Sequence, residues 1–150
     1  MLMAFRFPLE TLLRVRQGLE RQHELRLQQA NHRVAMLRQQ IDDTHTEMQN
    51  ISARRRPQLE SGISAAELHF DVLCRSVLIE RQHTLEKQLV EAEALRHVRS
   101  EEFLQARRQR EVIDTLRRHQ LQDYQQEETR QDQRRLDELF LLRRSHLWRS

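Results

Sequence analysis

Histidine, cysteine and the acidic residues are the residues of this sequence whose side chains could support catalysis or metal binding. Glycine could support phosphate binding through its backbone. Eight histidines are spread along the 150 residues, and no two of them are three or four positions apart. No helical face therefore presents a pair of imidazole ligands to a metal ion. The two glycines, Gly18 and Gly62, are too far apart for a phosphate-binding loop. We therefore expect no enzymatic activity, no cofactor and no metal ion.

Cysteine content and hydropathy indicate the compartment. Cys74 is the only cysteine, so an internal disulfide is excluded and a reducing environment is expected. The segment from Met1 to Phe7 contains Arg6, where a secretory signal would need an apolar core. No apolar run approaches the roughly 20 residues that span a bilayer. We expect a cytoplasmic protein that is neither secreted nor membrane-spanning.

The charge balance does not favour a nucleic-acid partner. The chain carries 26 lysines and arginines against 23 acidic residues, and Lys87 is the only lysine. Its basic residues alternate with acidic ones, and its seven aromatic residues do not line a basic face. The one compact basic cluster, residues 54–56, suits the carboxyl end of a helix. Nucleic acid is therefore not an expected partner.

The elements that carry these residues are predicted to be long helices. With 33% charged residues and a mean hydropathy of −0.86, the chain cannot bury a globular core. It can bury one apolar stripe along another, as coiled coils do. Apolar residues recur at alternating spacings of three and four, which predicts a first helix over about residues 8–56. The clearest seam consists of Leu27, Ala30, Val34, Leu37, Ile41, Thr44, Met48 and Ile51.

Upstream of that seam the pattern is interrupted by polar residues. Arg16, Glu20 and His23 fall on positions that the same register would bury. Charged side chains are unfavourable in an apolar seam, so we predict a shift of register near Gly18.

A turn is predicted over about residues 57–63. Pro57 disfavours a helical conformation of Arg56, and the arginines of residues 54–56 suit the last carbonyl groups of the first helix. Ser64 and Glu67 have the spacing of a capping box, in which each side chain accepts a hydrogen bond from the other residue's backbone N–H. We therefore predict a second helix over about residues 64–147.

The second helix is predicted to be longer than its partner. Folding the chain about residue 60 sets Leu9 opposite Glu111, so residues beyond about 114 have no partner within the chain. Exposed apolar surface of this kind usually marks an interface. The alternatives are that it packs on the segment around Phe5 and Phe7 or self-associates. The apolar residues near the end are Leu136, Leu139, Phe140, Leu141, Leu142, Leu147 and Trp148.

These features predict an all-α protein, namely a long two-helix antiparallel coiled-coil hairpin with a C-terminal helical overhang. The prediction treats residues 1–150 as a single coiled-coil domain.

The sequence resembles the FliJ family of coiled-coil components of bacterial flagellar export, which is related to the YscO-like stalk proteins of injectisomes. Three segments in the same order over nearly the whole length carry the resemblance. They are the opening Phe5-Arg6-Phe7-Pro8-Leu9-Glu10 followed by Leu12, Leu13 and Arg16, the central Gly62-Ile63-Ser64-Ala65-Ala66-Glu67-Leu68, and the closing Gln133-Arg134-Arg135-Leu136-Asp137-Glu138.

The resemblance implies a stalk that enters the ring of the export ATPase with its terminal end and faces the cytoplasmic domain of the export gate with its hairpin end. It also implies an escort role for export chaperones and a cytoplasmic location, at most peripheral at the inner face of the cell membrane. The implied gate-facing residues are Phe70, Leu73 and Val77. The expected ATPase-binding residues are Phe7, Leu9, Leu12, Leu13, Leu136, Asp137 and Glu138 by resemblance, with Phe140 and Trp148 added for their place on the overhang.

A second class of function stays open at this point. A generic structural coiled coil that dimerises through its overhang would show the same periodicity and the same apolar C-terminus.

Overall fold

The structure, a computed structural model, describes residues 4–148 and consists of two helices. Helix α1 spans Glu10–Ser61 and helix α2 spans Ala65–Leu147. No strand occurs among the described residues, which confirms the all-α prediction. Contacts divide the chain into two compact units. The terminal unit comprises Met1–Glu20 and Gln105–Ser150, and the turn unit comprises Arg21–Leu104. The assignment of residues 1–150 to one domain stays a prediction.

The turn unit is held together by the seam that the sequence predicts. Val34 and Leu37 are almost fully buried, and they form one apolar cluster with Leu85 and Ala92 of α2. Residues further along α1 contact residues that come earlier in α2. Arg38 Nη2 lies 2.7 Å from Glu93 Oε1, and Arg55 Nε lies 3.6 Å from Asp71 Oδ2. The two helical segments of this unit are therefore antiparallel.

Thr44 shows how a polar residue fits this seam. It is buried, and its hydroxyl donates a hydrogen bond to the Gln40 carbonyl at 2.8 Å. The bond to the preceding turn satisfies the hydroxyl, so burial leaves no unpaired donor. All eight predicted seam residues from Leu27 to Ile51 are buried or half-buried.

Helix α1 ends later than the sequence predicted. The prediction placed the end at Arg56, before Pro57, but the helix contains Pro57 and continues to Ser61. Proline removes one backbone donor and its ring crowds the carbonyl four residues earlier, but this local cost bends a helix more readily than it ends one, and α1 continues through Pro57. The break occurs instead at Gly62, where φ is +89°, a backbone conformation that favours glycine. The arginines of residues 54–56 therefore do not lie in the last turn.

Helix α2 begins with the capping box that the sequence predicts. The backbone N–H of Glu67 donates to Ser64 Oγ at 3.2 Å, and the backbone N–H of Ser64 donates to Glu67 Oε2 at 3.4 Å. The Ser64 carbonyl accepts the first helical hydrogen bond, from Leu68 N–H at 3.1 Å. These contacts satisfy donors that a helix start would otherwise leave unpaired.

The two glycines should respond to alanine in opposite directions. Gly62→Ala should lower the free energy of unfolding by about 1 kcal/mol, because alanine disfavours a positive φ. Gly18→Ala should raise it by about 1 kcal/mol, because Gly18 lies inside α1 with open space where a Cβ would be. Urea denaturation followed by circular dichroism measures both. Equal stabilisation by the two substitutions would contradict the assignment of the helix end to Gly62.

The terminal unit pairs further along α2 than the sequence predicted. The aromatic rings of Phe5 and Tyr124 lie 5.6 Å apart between centroids, and Arg117 Nε lies 3.3 Å from Glu10 Oε2. The prediction had set Leu9 opposite Glu111 and left residues beyond about 114 unpartnered. The pairing is shifted because α1 extends to Ser61 and moves the turn towards Ile63. The overhang therefore begins near residue 129 rather than residue 114.

Polar residues occupy the seam of the terminal unit without a change of register. Glu20 accepts hydrogen bonds from Arg110 Nε at 2.5 Å and Arg110 Nη2 at 3.3 Å. Arg16 Nη1 donates to Gln109 Oε1 at 2.6 Å. The predicted register shift near Gly18 is therefore wrong, since buried and half-buried residues keep the three-four spacing from Leu13 through Arg16 to Glu20. Polar partners on α2 satisfy these side chains, which offsets part of the cost of placing them in the seam.

Arg110 is the centre of this polar cluster. The hydrogen bonds from Arg110 to Glu20 raise the pKa of Arg110 above its ordinary value, and the nearby carboxylates of Glu111 and Asp114 add to the effect, although burial opposes it. The Arg110 Nη1 atom lies 3.5 Å from Asp114 Oδ2. Through its contacts with Glu20, the guanidinium joins α1 to α2 inside this unit.

Candidate protein-binding site

The end of α2 carries the largest group of exposed apolar side chains in the described part of the terminal unit. Every residue from 129 to 148 is exposed, although the helix continues to Leu147. We call residues 129–148 the terminal arm. The core of this unit contains Phe5, Phe7, Leu13 and Ile113 and no residue of the arm. The alternative in which the arm packs on Phe5 and Phe7 is therefore not seen.

The apolar residues of the terminal arm surround the helix instead of forming one stripe. Residues 139–142 are four consecutive large apolar side chains with exposed fractions between 58% and 66%. Successive helical residues are rotated by about 100°, so these four point in all directions around the axis. A partner that lay along one side of the arm would leave half of them in water. Their burial requires a partner that encloses the helix.

The structure places the predicted ATPase-binding residues in two different environments. Phe7 and Leu13 are buried in the core of the terminal unit, and Leu13 is only 1% exposed. Their side chains stabilise the packing of α1 on α2. Leu9 and Leu12 are exposed, at 37% and 39%. The predicted residues on the arm are all exposed, and they are Leu136, Asp137, Glu138, Phe140 and Trp148.

The structure does not bring these two sets of residues together. Phe5 pairs with Tyr124, and Leu136 follows Tyr124 by about 18 Å along the helix at the usual rise per residue. Any surface that includes both sets must therefore extend along the terminal unit. Leu139, Leu141 and Leu142 belong with the arm residues because they are equally exposed. The signal that identifies them is the uninterrupted apolar run, which has no helical periodicity.

The predicted gate-facing residues form a second exposed strip, on the turn unit. Phe70, Leu73 and Val77 are 66%, 51% and 63% exposed. Their three-four spacing places them on one face of α2. This face adjoins the seam side, where Asp71 and Cys74 are half-buried. The arrangement could bind an apolar surface of another protein.

No other chemistry is evident in the part of the chain that the structure describes. Residues 4–148 contain no group of histidine, cysteine and acidic side chains that could hold a metal ion. Neither of the two helices has a segment long and apolar enough to cross a membrane within these residues.

Comparison with known proteins identifies the family. A family model described as flagellar FliJ protein matches residues 5–146. No curated protein and no solved structure is significantly similar to the chain. The family match covers nearly the whole chain, including all of α1 and all of α2 except its last residue. The chain therefore belongs to the flagellar FliJ protein family, and it is a component of the flagellar export apparatus.

Proposed function

We propose that the protein is the non-enzymatic central stalk of the export ATPase ring, and that its terminal arm is the segment that enters the ring. The observation that carries this proposal is the run of apolar residues 139–142 around the whole helix. A ring that encloses the arm can cover all of these side chains, whereas a groove covers one side. Membership of the flagellar family supports an ATPase of the export apparatus as the partner.

We propose a second contact, with the cytoplasmic domain of the export gate, for Phe70, Leu73 and Val77. Their exposure on one face of α2 supports a docking surface of this kind. The proposal that the stalk couples the ATPase to the gate follows from assigning separate surfaces to the two partners. Family membership alone supports the escort of export chaperones and the location in the cytoplasm, at most peripheral at the inner face of the cell membrane.

Alanine substitutions around the arm test the enclosure. Leu139→Ala, Phe140→Ala, Leu141→Ala, Leu142→Ala and Trp148→Ala should each raise the concentration of the protein that gives half-maximal stimulation of the purified export ATPase. We expect about fivefold to thirtyfold for Phe140 and Trp148, because buried aromatic residues often contribute about 1 to 2 kcal/mol at interfaces. Phosphate release measured against protein concentration gives these values.

Val90→Ala is the matched control for this series. Val90 is 68% exposed on α2 and lies outside the arm, so its substitution should leave the half-maximal concentration unchanged. If substitutions on only one side of residues 139–142 have an effect, the arm lies on an open surface and is not enclosed. If the wild-type protein dimerises through the arm and does not stimulate the ATPase, a dimerising adaptor is the correct function.

A further inference from the structure

The turn unit has an open groove along one side of its helix pair, near the hairpin turn. The groove has a volume of about 430 Å³. Seven described residues line it, six of α1 and one of α2, and none of these seven is acidic. We call this feature the basic groove. The residues that determine its chemistry are His45, Met48, Gln49, Ser52, Arg56 and Arg75.

Two arginines supply the charge of the basic groove. Arg56 and Arg75 are exposed, and neither forms an ion pair or a hydrogen bond with another residue of the described range 4–148. Arg55, which is next to Arg56 in the sequence, is engaged instead, because its Nε atom lies 3.6 Å from Asp71 Oδ2. The guanidinium groups of the two groove arginines can therefore bind an anionic group from outside the chain.

A hydroxyl group in the basic groove is also unengaged. Inside helices, serine and threonine hydroxyls often donate to the carbonyl group four residues earlier. Thr44 and Thr46 do so, at 2.8 and 3.0 Å. The Ser52 hydroxyl forms no hydrogen bond with another described residue, so it can donate to a ligand. His45 and Gln49 are engaged with each other, since their Nε2 atoms lie 3.1 Å apart.

The acidic neighbours of the two groove arginines within their own helices do not pair with them. At a spacing of three or four residues these neighbours are Glu60 for Arg56 and Asp71 for Arg75. Asp71 lies beside Arg55. Glu60 forms no ion pair within the part of the chain that the structure describes. These neighbours therefore leave the positive charge of the groove available to an acidic partner.

The layout of the basic groove favours a protein segment over a single small anion. Sites for small anions gather their donors, often backbone N–H groups, at one point. The groove instead extends over about three turns of α1, or roughly 16 Å. Because α2 is antiparallel to α1 and Asp71 contacts Arg55, Arg75 lies about one helical turn from Arg56 along the pair. Met48, which is half-buried, adds apolar surface beside these charges.

We propose that the basic groove binds an acidic segment of another protein, in which two carboxylates about one helical turn apart reach Arg56 and Arg75. Glutamates four residues apart in a helix have this spacing. The Ser52 hydroxyl donates to one of these carboxylates, and Met48 contacts the apolar part of the segment. No gate-facing residue and no residue of the terminal arm lines the groove, so the proposal is independent of both contacts proposed above.

A designed acidic peptide tests the proposal. The probe is a fluorescent helical peptide of about 16 residues with glutamate at every fourth position and alanine elsewhere. It should bind the full-length protein in a fluorescence anisotropy titration at low salt, and added salt should weaken the binding. The double variant Arg56→Glu with Arg75→Glu should weaken it about tenfold or more, because attractive contacts become repulsive. The same peptide with glutamine in place of glutamate should not bind.

A second double variant separates the basic groove from the overall charge of the protein. Arg33→Glu with Arg81→Glu makes the same change of net charge at two exposed arginines of the turn unit that do not line the groove. It should leave the affinity for the peptide unchanged. Both double variants should keep their helical circular dichroism, since all four positions are exposed. If the groove variant does not fold, Arg56→Gln with Arg75→Gln removes the charges more gently and should weaken binding about fivefold.

Four results would overturn the proposal. The first is equal binding of the glutamine peptide, and the second is an equal loss of affinity in the two double variants. The third is displacement of the peptide by millimolar inorganic phosphate at constant ionic strength, because the groove would then be a site for small anions. The fourth is a wild-type dimer in sedimentation that the groove variant abolishes, because a second copy would then occupy the groove.

Discussion

A chain that ends at Arg135 should fail to stimulate a cognate export ATPase and yet unfold at nearly the same temperature as the full chain. The described residues removed by this truncation are all exposed, so their loss leaves no cavity in either core. They include seven large apolar side chains, each at least 58% exposed, that would lie against the ring. Phosphate release and thermal melting by circular dichroism measure the two properties on the same preparation.

A full-length variant separates loss of apolar surface from loss of helix length. In this variant the seven apolar residues from Leu136 to Trp148 are replaced by glutamine, which keeps the helix but removes the apolar side chains. It should be as inactive as the truncated chain. Normal stimulation by the truncated chain would show that the terminal arm is not the ring-facing end. Normal stimulation by the glutamine variant alone would show that length, not apolar contact, matters.

Leu37→Asp should lower the free energy of unfolding by about 4 kcal/mol or more. Leu37 is fully buried between the helices of the turn unit, so the substitution removes apolar packing and places a carboxylate among Val34, Leu85 and Ala92. Proteins of this size are stabilised by only about 5 to 15 kcal/mol, so we expect a large fall in melting temperature. Urea denaturation of the purified variant measures the loss.

Leu25→Asp is the matched control, because Leu25 lies on the same helix and is 53% exposed. The same chemical change should there cost about 0.5 kcal/mol, mainly through helix propensity. Arg38 would be a poorer control, although it is next to Leu37. Its guanidinium contacts Glu93 at 2.7 Å, so Arg38→Asp would set two carboxylates against each other. Equal losses for Leu37→Asp and Leu25→Asp would show that the seam is assigned wrongly.

The seam of the turn unit could be predicted because its apolar residues repeat without interruption. From Leu27 to Ile51 the spacing alone identifies the buried face, and Val34 and Leu37 are the most deeply buried of this set. The capping box was also predictable, because Ser64 and Glu67 interact within one turn of a helix. In both cases the determining contacts are local or periodic.

The polar part of the seam could not be predicted from one helix alone. Glu20 occupies a seam position because Arg110, ninety residues later, satisfies its carboxylate. Within the periodic pattern of α1 alone, such a residue is indistinguishable from an interruption. The pairing differs from the prediction for a local reason, since α1 passes through Pro57 and ends only at Gly62, which has a positive φ. In the candidate site, the exposed apolar residues of the terminal arm could be predicted from the sequence. The burial of Phe7 and Leu13 could not, because it depends on contact with Ile113 of α2.

The contact between Glu20 and Arg110 also constrains how the lengths of the two helices can change in evolution. An insertion of one heptad between Glu20 and the turn would move Glu20 away from Arg110, unless the second helix gained the same number of residues before Arg110. The unmatched insertion would leave a half-buried carboxylate and a half-buried guanidinium without each other. Relatives that keep both residues should therefore gain and lose heptads in matched pairs, one on each side of Gly62. Changes confined to the terminal arm should carry no such penalty, because no seam contact in the described structure depends on the arm's length.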